Sequence, residues 1–501
     1  MGRLKKVKLN VASTLANQLV ATLCGLLIPW IMIDTFGSAA YGATTSIAQF
    51  LSYIALLEGG IGRVARGALY KPLAERDDER ISQVYLAVKR FFAYIGLAFA
   101  GYVLVLALCY HDMADVTDFT REYTFMLVVG IAIGKFAEYM GGISKVTLLN
   151  ADQRQYVVNG VYMITNVLNV LLIVTLANLG VDILWVKVVS SAVFVLRPVM
   201  FSLYLRRNYH IRKTGVKAQL PNKFTGIAQH TAYVIQNNTD IMMLTLLADL
   251  RCVAVYSVYH LVVFSLRNVA TSFTGGMEAL LGDMAAKGEE ENLRRTYRSY
   301  KLILTALIVT LFGTAAILIV PFVRLYTEGV TDADYIQPAF ALILVWAEAL
   351  NCLVLPCFNL TIAANKLKDS QIGAYGEAII NVVVSLVLVL VWDPLVGVAV
   401  GTLVSTIFKC VYYVSFAGKH ILKIKVYRML LKWAAAALAL VAVTSGGMCL
   451  MTYVPVSGYL TWILLGMGFA VATGAAGLAL GVVLYPGYFK GIKSMLLGKK
   501  R

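Results

Sequence analysis

Lys135, Arg197, Arg267 and Lys409 stand inside long apolar stretches of the sequence, and so do the acids Glu58, Glu138, Asp240, Glu348 and Glu377. An ionisable group held at the centre of a bilayer costs at least about 2.5 to 3.5 kcal/mol, so each of these residues needs a partner or a hydrated cavity. Two kinds of chemistry suit them. In the first, each cation neutralises a nearby acid: Lys135 and Glu138 are three residues apart on one helix face, and Arg267 could meet Asp240 from the adjacent span. In the second, the cations hold an anionic head group such as a diphosphate, for which the planar donor pair of Arg is suited. A carboxyl poised between desolvation and a neighbouring cation can also load and release a proton, and Asp240 and Glu58 are the candidates for ion coupling. Protons are the expected coupling ion; sodium stays open, since no ligand spacing argues for it.

Amides add to this set. The run Gln236-Asn237-Asn238-Thr239, together with Asn166, Asn169, Asn351 and Asn381, could bind sugar hydroxyls or join helices by interhelical hydrogen bonds. Cavity lining is the reading for Asn237 and Asn238, and helix joining for Asn169 and Asn381. None of the five histidines has a metal partner at ligand spacing, and the seven cysteines form no CxxC pair. No metal, cofactor or catalytic residue is therefore expected.

The elements that must carry these residues are transmembrane helices. Of 501 residues, 59% are hydrophobic and 14% are charged, with a mean hydropathy of +0.75. That excludes an ordinary soluble domain. The net charge of +17 arrives in short bursts between apolar runs, which is the pattern of membrane topology and not of a nucleic-acid-binding patch. At about 20 residues per crossing, about fourteen spans fit between residues 10 and 484. About 36 of the 44 Lys and Arg fall at the ends and in the loops after even-numbered spans, which puts both termini in the cytoplasm. Counted from the outer ends of their helices, the four buried cations lie at one depth, roughly 18 to 22 Å down.

The chain repeats itself after roughly 215 residues. Asp34 and Tyr41 map on Asp249 and Tyr256, the turn Asn150 to Arg154 on Ala364 to Lys368, Asn169 on Asn381, and Asp182 on Asp393. Six spans is an even number, so the copies run the same way: an all-α membrane protein with two parallel six-helix lobes, the substrate path between them, and two C-terminal helices. The expected divisions are 1–222, 223–427 and 428–501. Tyr41 and Tyr256 read as anchors at the outer interface. Gly397-x3-Gly401 and Gly477-x3-Gly481 read as close-packing motifs.

Leu27-Ile28-Pro29, then Phe36-Gly37-x3-Tyr41-Gly42, then Leu56-Leu57-Glu58-Gly59-Gly60-Ile61-Gly62 resemble the opening of the Wzx-type polysaccharide flippases of the multidrug/oligosaccharidyl-lipid/polysaccharide (MOP) exporter superfamily. Thr239-Asp240-Ile241 and Val255-Tyr256-Ser257 resemble the start of their second lobe, with Arg251-Cys252 where that turn usually has a glycine. The resemblance implies a bacterial inner-membrane exporter, not an enzyme. It would move a lipid-diphosphate-linked oligosaccharide, such as an O-antigen or other polysaccharide repeat unit, by alternating access. Membrane lipids and polysaccharide assembly proteins are the implied partners, and nucleic acid is not. The rival readings are a multidrug-type cation antiporter of the same superfamily and a membrane glycosyltransferase or polymerase. A surplus of buried cations argues against the antiporter, and the short outer loops, none over roughly 15 residues, argue against the enzyme.

Overall fold

A computed structural model describes residues 3–58, 61–212, 227–366, 368–454 and 456–485. Gly59, Gly60, Leu367, the expected division at 222/223 and the tail from 486 lie outside the described residues. The described residues are mostly helical, with no strand among them. Among the described residues twelve helices are long and apolar enough to cross a membrane. The two further spans expected from the sequence fall on a 15-residue helix continued as a 3-10 turn and on the helix whose apolarity is diluted by Gln236 to Asp240.

The chain forms two compact units, residues 1–254 and 255–501. The first contains α1 (Arg3–Phe36), α2 (Ser38–Ser52), a 3-10 turn (Tyr53–Glu58), α3 (Ile61–Glu75), α4 (Asp78–Met113) and α5 (Arg121–Ala137). A π-helical turn (Glu138–Gly142) then leads into α6 (Ile143–Ala151), α7 (Gln155–Asn178), α8 (Ile183–Val193), α9 (Leu196–Asn208) and α10 (Ile227–Leu247). Helix α11 (Leu250–Ser272) runs through the division.

Local chemistry explains the breaks. Gly37 separates α1 from α2 at φ 83°, where a side chain would be strained. Asp77, Thr120 and Asp182 accept backbone N–H bonds that open α4, α5 and α8. Phe92, Phe99, Tyr110 and Phe201 fill the core of this unit. Helix α10 packs on α2 and its 3-10 extension. There Ser46 and Thr245 share a hydrogen bond of 2.7 Å, and His230 reaches the Ala55 carbonyl at 2.8 Å.

The second unit contains α12 (Gly275–Ala286), α13 (Glu290–Tyr326), α14 (Pro338–Ala363), α15 (Gln371–Val391), α16 (Pro394–Ala417), a π-helical turn (Gly418–Leu422), α17 (Val426–Met451) and α18 (Tyr459–Leu484). Both glycine motifs mark close approaches. A Cβ on Gly401 would lie 2.0 Å from Ser385 Oγ, and one on Gly397 2.8 Å from the Val389 nitrogen, so α15 and α16 touch backbone to backbone. On Gly477 it would lie 2.9 Å from the Ala306 carbonyl oxygen, where α18 docks on α13. The outward face of α18 keeps Leu460, Val471 and Val483 exposed, as a lipid-facing helix must.

Tyr41 and Tyr256 correct the expectation of interface anchors. They are 8% and 4% exposed, and Tyr256 stacks between His260 and Phe340.

Candidate functional site

In the first unit, Arg197 is the most fully bound cation. Its Nη1 donates to Glu138 Oε1 at 2.6 Å, Nη2 to Asn166 Oδ1 at 2.8 Å and Nε to Thr165 Oγ1 at 3.0 Å. The flat faces of the guanidinium lie 4.2 Å from the Phe194 ring centroid and 4.6 Å from that of Tyr162. A short break at Phe194 and Val195 between α8 and α9 positions it. Glu138 opens the π turn that follows α5, and such one-residue insertions re-aim side chains without ending a helix.

Lys135, one turn earlier, donates to Ser52 Oγ at 3.2 Å and faces both Glu138 and Glu58. Glu58 accepts a bond of 2.6 Å from the Tyr139 hydroxyl. Lys135 thus stands near Glu138 as expected, while the close ion pair of Glu138 is with Arg197.

On α10, Asn238 accepts from Gln49 Nε2, the same amide donates to the Asn237 carbonyl, and Tyr53 bonds Thr239 beside Asp240. Asp240 is 5% exposed. In this unit the Asn238 side chain and the Asn237 backbone join α10 to α2 through the Gln49 amide.

The second unit carries a chain of polar contacts from α11 to α15. Arg267 Nη1 lies 3.2 Å from Glu348 Oε1, and Glu348 Oε2 accepts from Asn351 Nδ2 at 3.3 Å. Asn351 Oδ1 accepts from Lys409 Nζ at 3.0 Å, and Lys409 Nζ lies 2.9 Å from Glu377 Oε1. Arg267 also sits 4.7 Å from the Phe264 ring centroid, and His260 stands beside Arg267 and Glu348. Within its own unit the acid that holds Arg267 is thus Glu348, which the sequence reading did not pair with it.

The two networks have the same wiring. Ser52, Lys135, Glu138, Thr165 and Arg197 each precede their counterparts Arg267, Glu348, Asn351, Glu377 and Lys409 by roughly 212 to 215 residues, and three contacts among them recur in both units. Lys135 bonds Ser52 as Glu348 bonds Arg267. Arg197 bonds Glu138 and Thr165 as Lys409 bonds Asn351 and Glu377. The helix-joining amides repeat as well, with Asn169 on the Ser190 carbonyl at 3.0 Å and Asn381 on Thr402 Oγ1 at 3.1 Å. The charges are distributed differently: Lys135 corresponds to Glu348, Glu138 to Asn351, Thr165 to Glu377 and Ser52 to Arg267, while Arg197 and Lys409 are cations in both copies. In each unit two cations stand with two acids (Lys135 and Arg197 with Glu58 and Glu138, Arg267 and Lys409 with Glu348 and Glu377), so the surplus of positive charge expected at these positions is offset.

Sequence reasoning missed Ser52, Gln49, Tyr139 and Thr165. Hydroxyls and amides inside apolar runs were their only signal, and such residues are common in membrane helices. Among the described residues no group of His, Cys, Asp and Glu is placed to hold a metal ion.

No protein-family model matches the chain, and no curated protein matches it by sequence. Solved structures do match. The lipid II flippase MurJ in an inward closed conformation aligns over 95% of this chain and 98% of its own, with a TM-score of 0.68 and 13% identity. An inward-facing multidrug-resistance MATE family transporter of the MOP superfamily aligns over 78% of this chain and 93% of its own (TM-score 0.56, 15% identity). A mutant of the Vibrio cholerae MATE transporter VcmN covers 83% and 98% (TM-score 0.57, 13% identity). The chain is an all-α multi-pass membrane protein with the fold seen in the lipid II flippase MurJ and in MATE transporters.

Proposed function

We propose that this protein is a flippase of the Wzx type that moves a lipid-diphosphate-linked oligosaccharide across the bacterial inner membrane by alternating access. The observation that carries the reading is the extent of the likeness to the lipid II flippase. It spans 95% of the chain, against 78% and 83% for the two MATE transporters, and the present chain devotes α17 and α18 to surface that faces lipid. A cargo with a lipid tail needs such a surface, whereas a small soluble cation does not.

In this reading Arg197, Arg267, Lys409 and Lys135 bind the diphosphate, the two arginines by exchanging a carboxylate for a phosphate that accepts the same paired donors and the two lysines as point charges. Asn237 and Asn238 contact sugar hydroxyls when α10 moves. Asp240 and Glu58 take up the protons that drive the cycle.

One observation favours the multidrug antiporter as a second reading. The balanced charge of both networks removes the electrostatic objection to a cationic cargo. Reconstitution in liposomes separates the two. A fluorescent lipid-diphosphate oligosaccharide should change leaflet in protein-containing vesicles, while ethidium efflux under a pH gradient should stay at background. Efflux of the dye without movement of the glycolipid would reverse the assignment.

A further inference from the structure

Helix α11 carries a ladder of rings that leads to Arg267. The His260 imidazole is stacked between Tyr256 and Phe264, with ring centroids 5.4 and 5.5 Å away and interplanar angles of 18° and 28°. Each ring is four residues from the next, so all three share one helix face. Side chains lean towards the N-terminus of their helix, and the Arg267 guanidinium accordingly lies back over Phe264, 4.7 Å from the ring centroid. From α14, Phe340 packs on Tyr256 at 5.8 Å, and two turns farther on Glu348 meets Arg267 at 3.2 Å.

A phenylalanine at position 260 would stack as well. Imidazole adds a nitrogen that can take a proton near neutral pH, where an ordinary carboxyl group does not. Burial opposes a charge on the ring, Glu348 of α14 favours it and Arg267 of its own helix opposes it. The faces of Tyr256 and Phe264 also favour a cation between them. Lys409 of α16 stands farther along the chain of contacts, joined to Glu348 through Asn351. His260 is half-buried, so a proton can reach it from water.

A phosphate arriving at Arg267 brings negative charge to a network in which Arg267 and Lys409 already stand with Glu348 and Glu377. As it draws Arg267 away, the charge opposing the imidazole proton leaves and Glu348 needs another cation. We propose that His260 binds a proton as Arg267 passes from Glu348 to an anionic phosphate group, and that the imidazolium takes the place of Arg267 beside Glu348. Charge is balanced on both sides of the exchange. Beforehand Arg267 offsets Glu348 and the ring is neutral; afterwards Arg267 offsets one charge of the phosphate and the ring offsets Glu348. The proton comes from solvent and sits on a ring nitrogen. Proton and phosphate thus raise each other's affinity. The identity of the anion rests on the flippase reading; the proton site does not, and it adds to Asp240 and Glu58 of the first unit.

Nitrogen NMR of the full chain in detergent, made with isotope-labelled histidine, tests it. The chain has five histidines, and the His260 signal is the one lost in His260→Phe. Inorganic pyrophosphate should make this ring bind its proton about tenfold more tightly, read as a shift of roughly one pH unit in its titration. His260→Phe keeps the stack and should accumulate as the wild type does; if it does not elute as a single species, His260→Gln takes its place. In liposomes with equal pH on both sides, the amount of lipid-diphosphate oligosaccharide needed for half-maximal movement should fall about tenfold between about pH 8 and about pH 6 for the wild type, and stay constant for the variant. A titration that pyrophosphate leaves unchanged overturns the proposal. A variant with the pH dependence of the wild type overturns it as well, and gives the proton to Glu348 or Glu377. A titration that responds to pyrophosphate in a protein that moves no glycolipid upholds the proton site and removes the flippase reading.

Discussion

Arg267 and Glu348 are 12% and 10% exposed at the side chain, so within the second unit each helps to offset the other's charge. Removing one partner of a buried pair costs about 3 to 5 kcal/mol, because the remaining charge stays desolvated. Arg267→Ala should therefore lower the amount of folded protein, and adding Glu348→Ala should restore it. If the restored double variant also exports, Arg267 is only a structural partner; an abundant but inactive double variant places it on the substrate. Arg197→Lys is a sharper change than it looks. An ammonium can keep Glu138 but cannot also reach Asn166 and Thr165 in one plane or lie flat between Phe194 and Tyr162. A loss of about 2 to 3 kcal/mol is expected, read as a lower melting temperature in detergent. The identity of these charged residues was legible in the sequence because apolar surroundings make any ion conspicuous. Their pairing was not, since Glu138 with Arg197 and Lys409 with Glu377 join residues 59 and 32 positions apart on different helices.

Helix contacts set those pairings. Gly401 leaves no room for a methyl group beside Ser385, and α16 carries Lys409 two turns farther on. Gly401→Ala should force α15 and α16 apart at a cost of about 1 to 3 kcal/mol, with a matching drop in thermal stability and loss of the Lys409 to Glu377 contact. The π turn at Glu138–Gly142 is the other determinant. Deleting Gly141 would restore a regular helix and rotate Lys135 and Glu138 by about 100° relative to α6, one residue's share of a 3.6-residue turn. Such a variant should reach the membrane but fail to export. Twelve of the fourteen expected spans, and the glycine contacts, were read correctly from hydropathy and spacing. The 3-10 and π turns were not, because they obey no simple residue pattern: Tyr53–Glu58 and Glu138–Gly142 read as continuous helix.

For the whole chain, the distribution of Lys and Arg predicts that cysteines at Asp118 and Ser457 react with an impermeant reagent from outside the cell. Cysteines at Arg207 and Lys425 should not react. Cys109 and Cys449 are exposed and must first be replaced. Ser38, which also lies near an outer turn, is fully buried and would stay unlabelled on either side. Labelling at Arg207 in intact cells would reverse the orientation.

Helix α10 sits in the first compact unit although it follows residues 213–226. Ser46 and Gln49 on α2 take their partners, Thr245 and Asn238, from it, 199 and 189 residues farther along the chain. At about 5 to 20 residues per second of synthesis, those two polar side chains wait on the order of 10 to 40 s for their partners to emerge. During that interval α2 is a short helix with unmet hydrogen-bonding groups, and the half-made protein is a client for whatever the cell keeps at the translocon to shelter one.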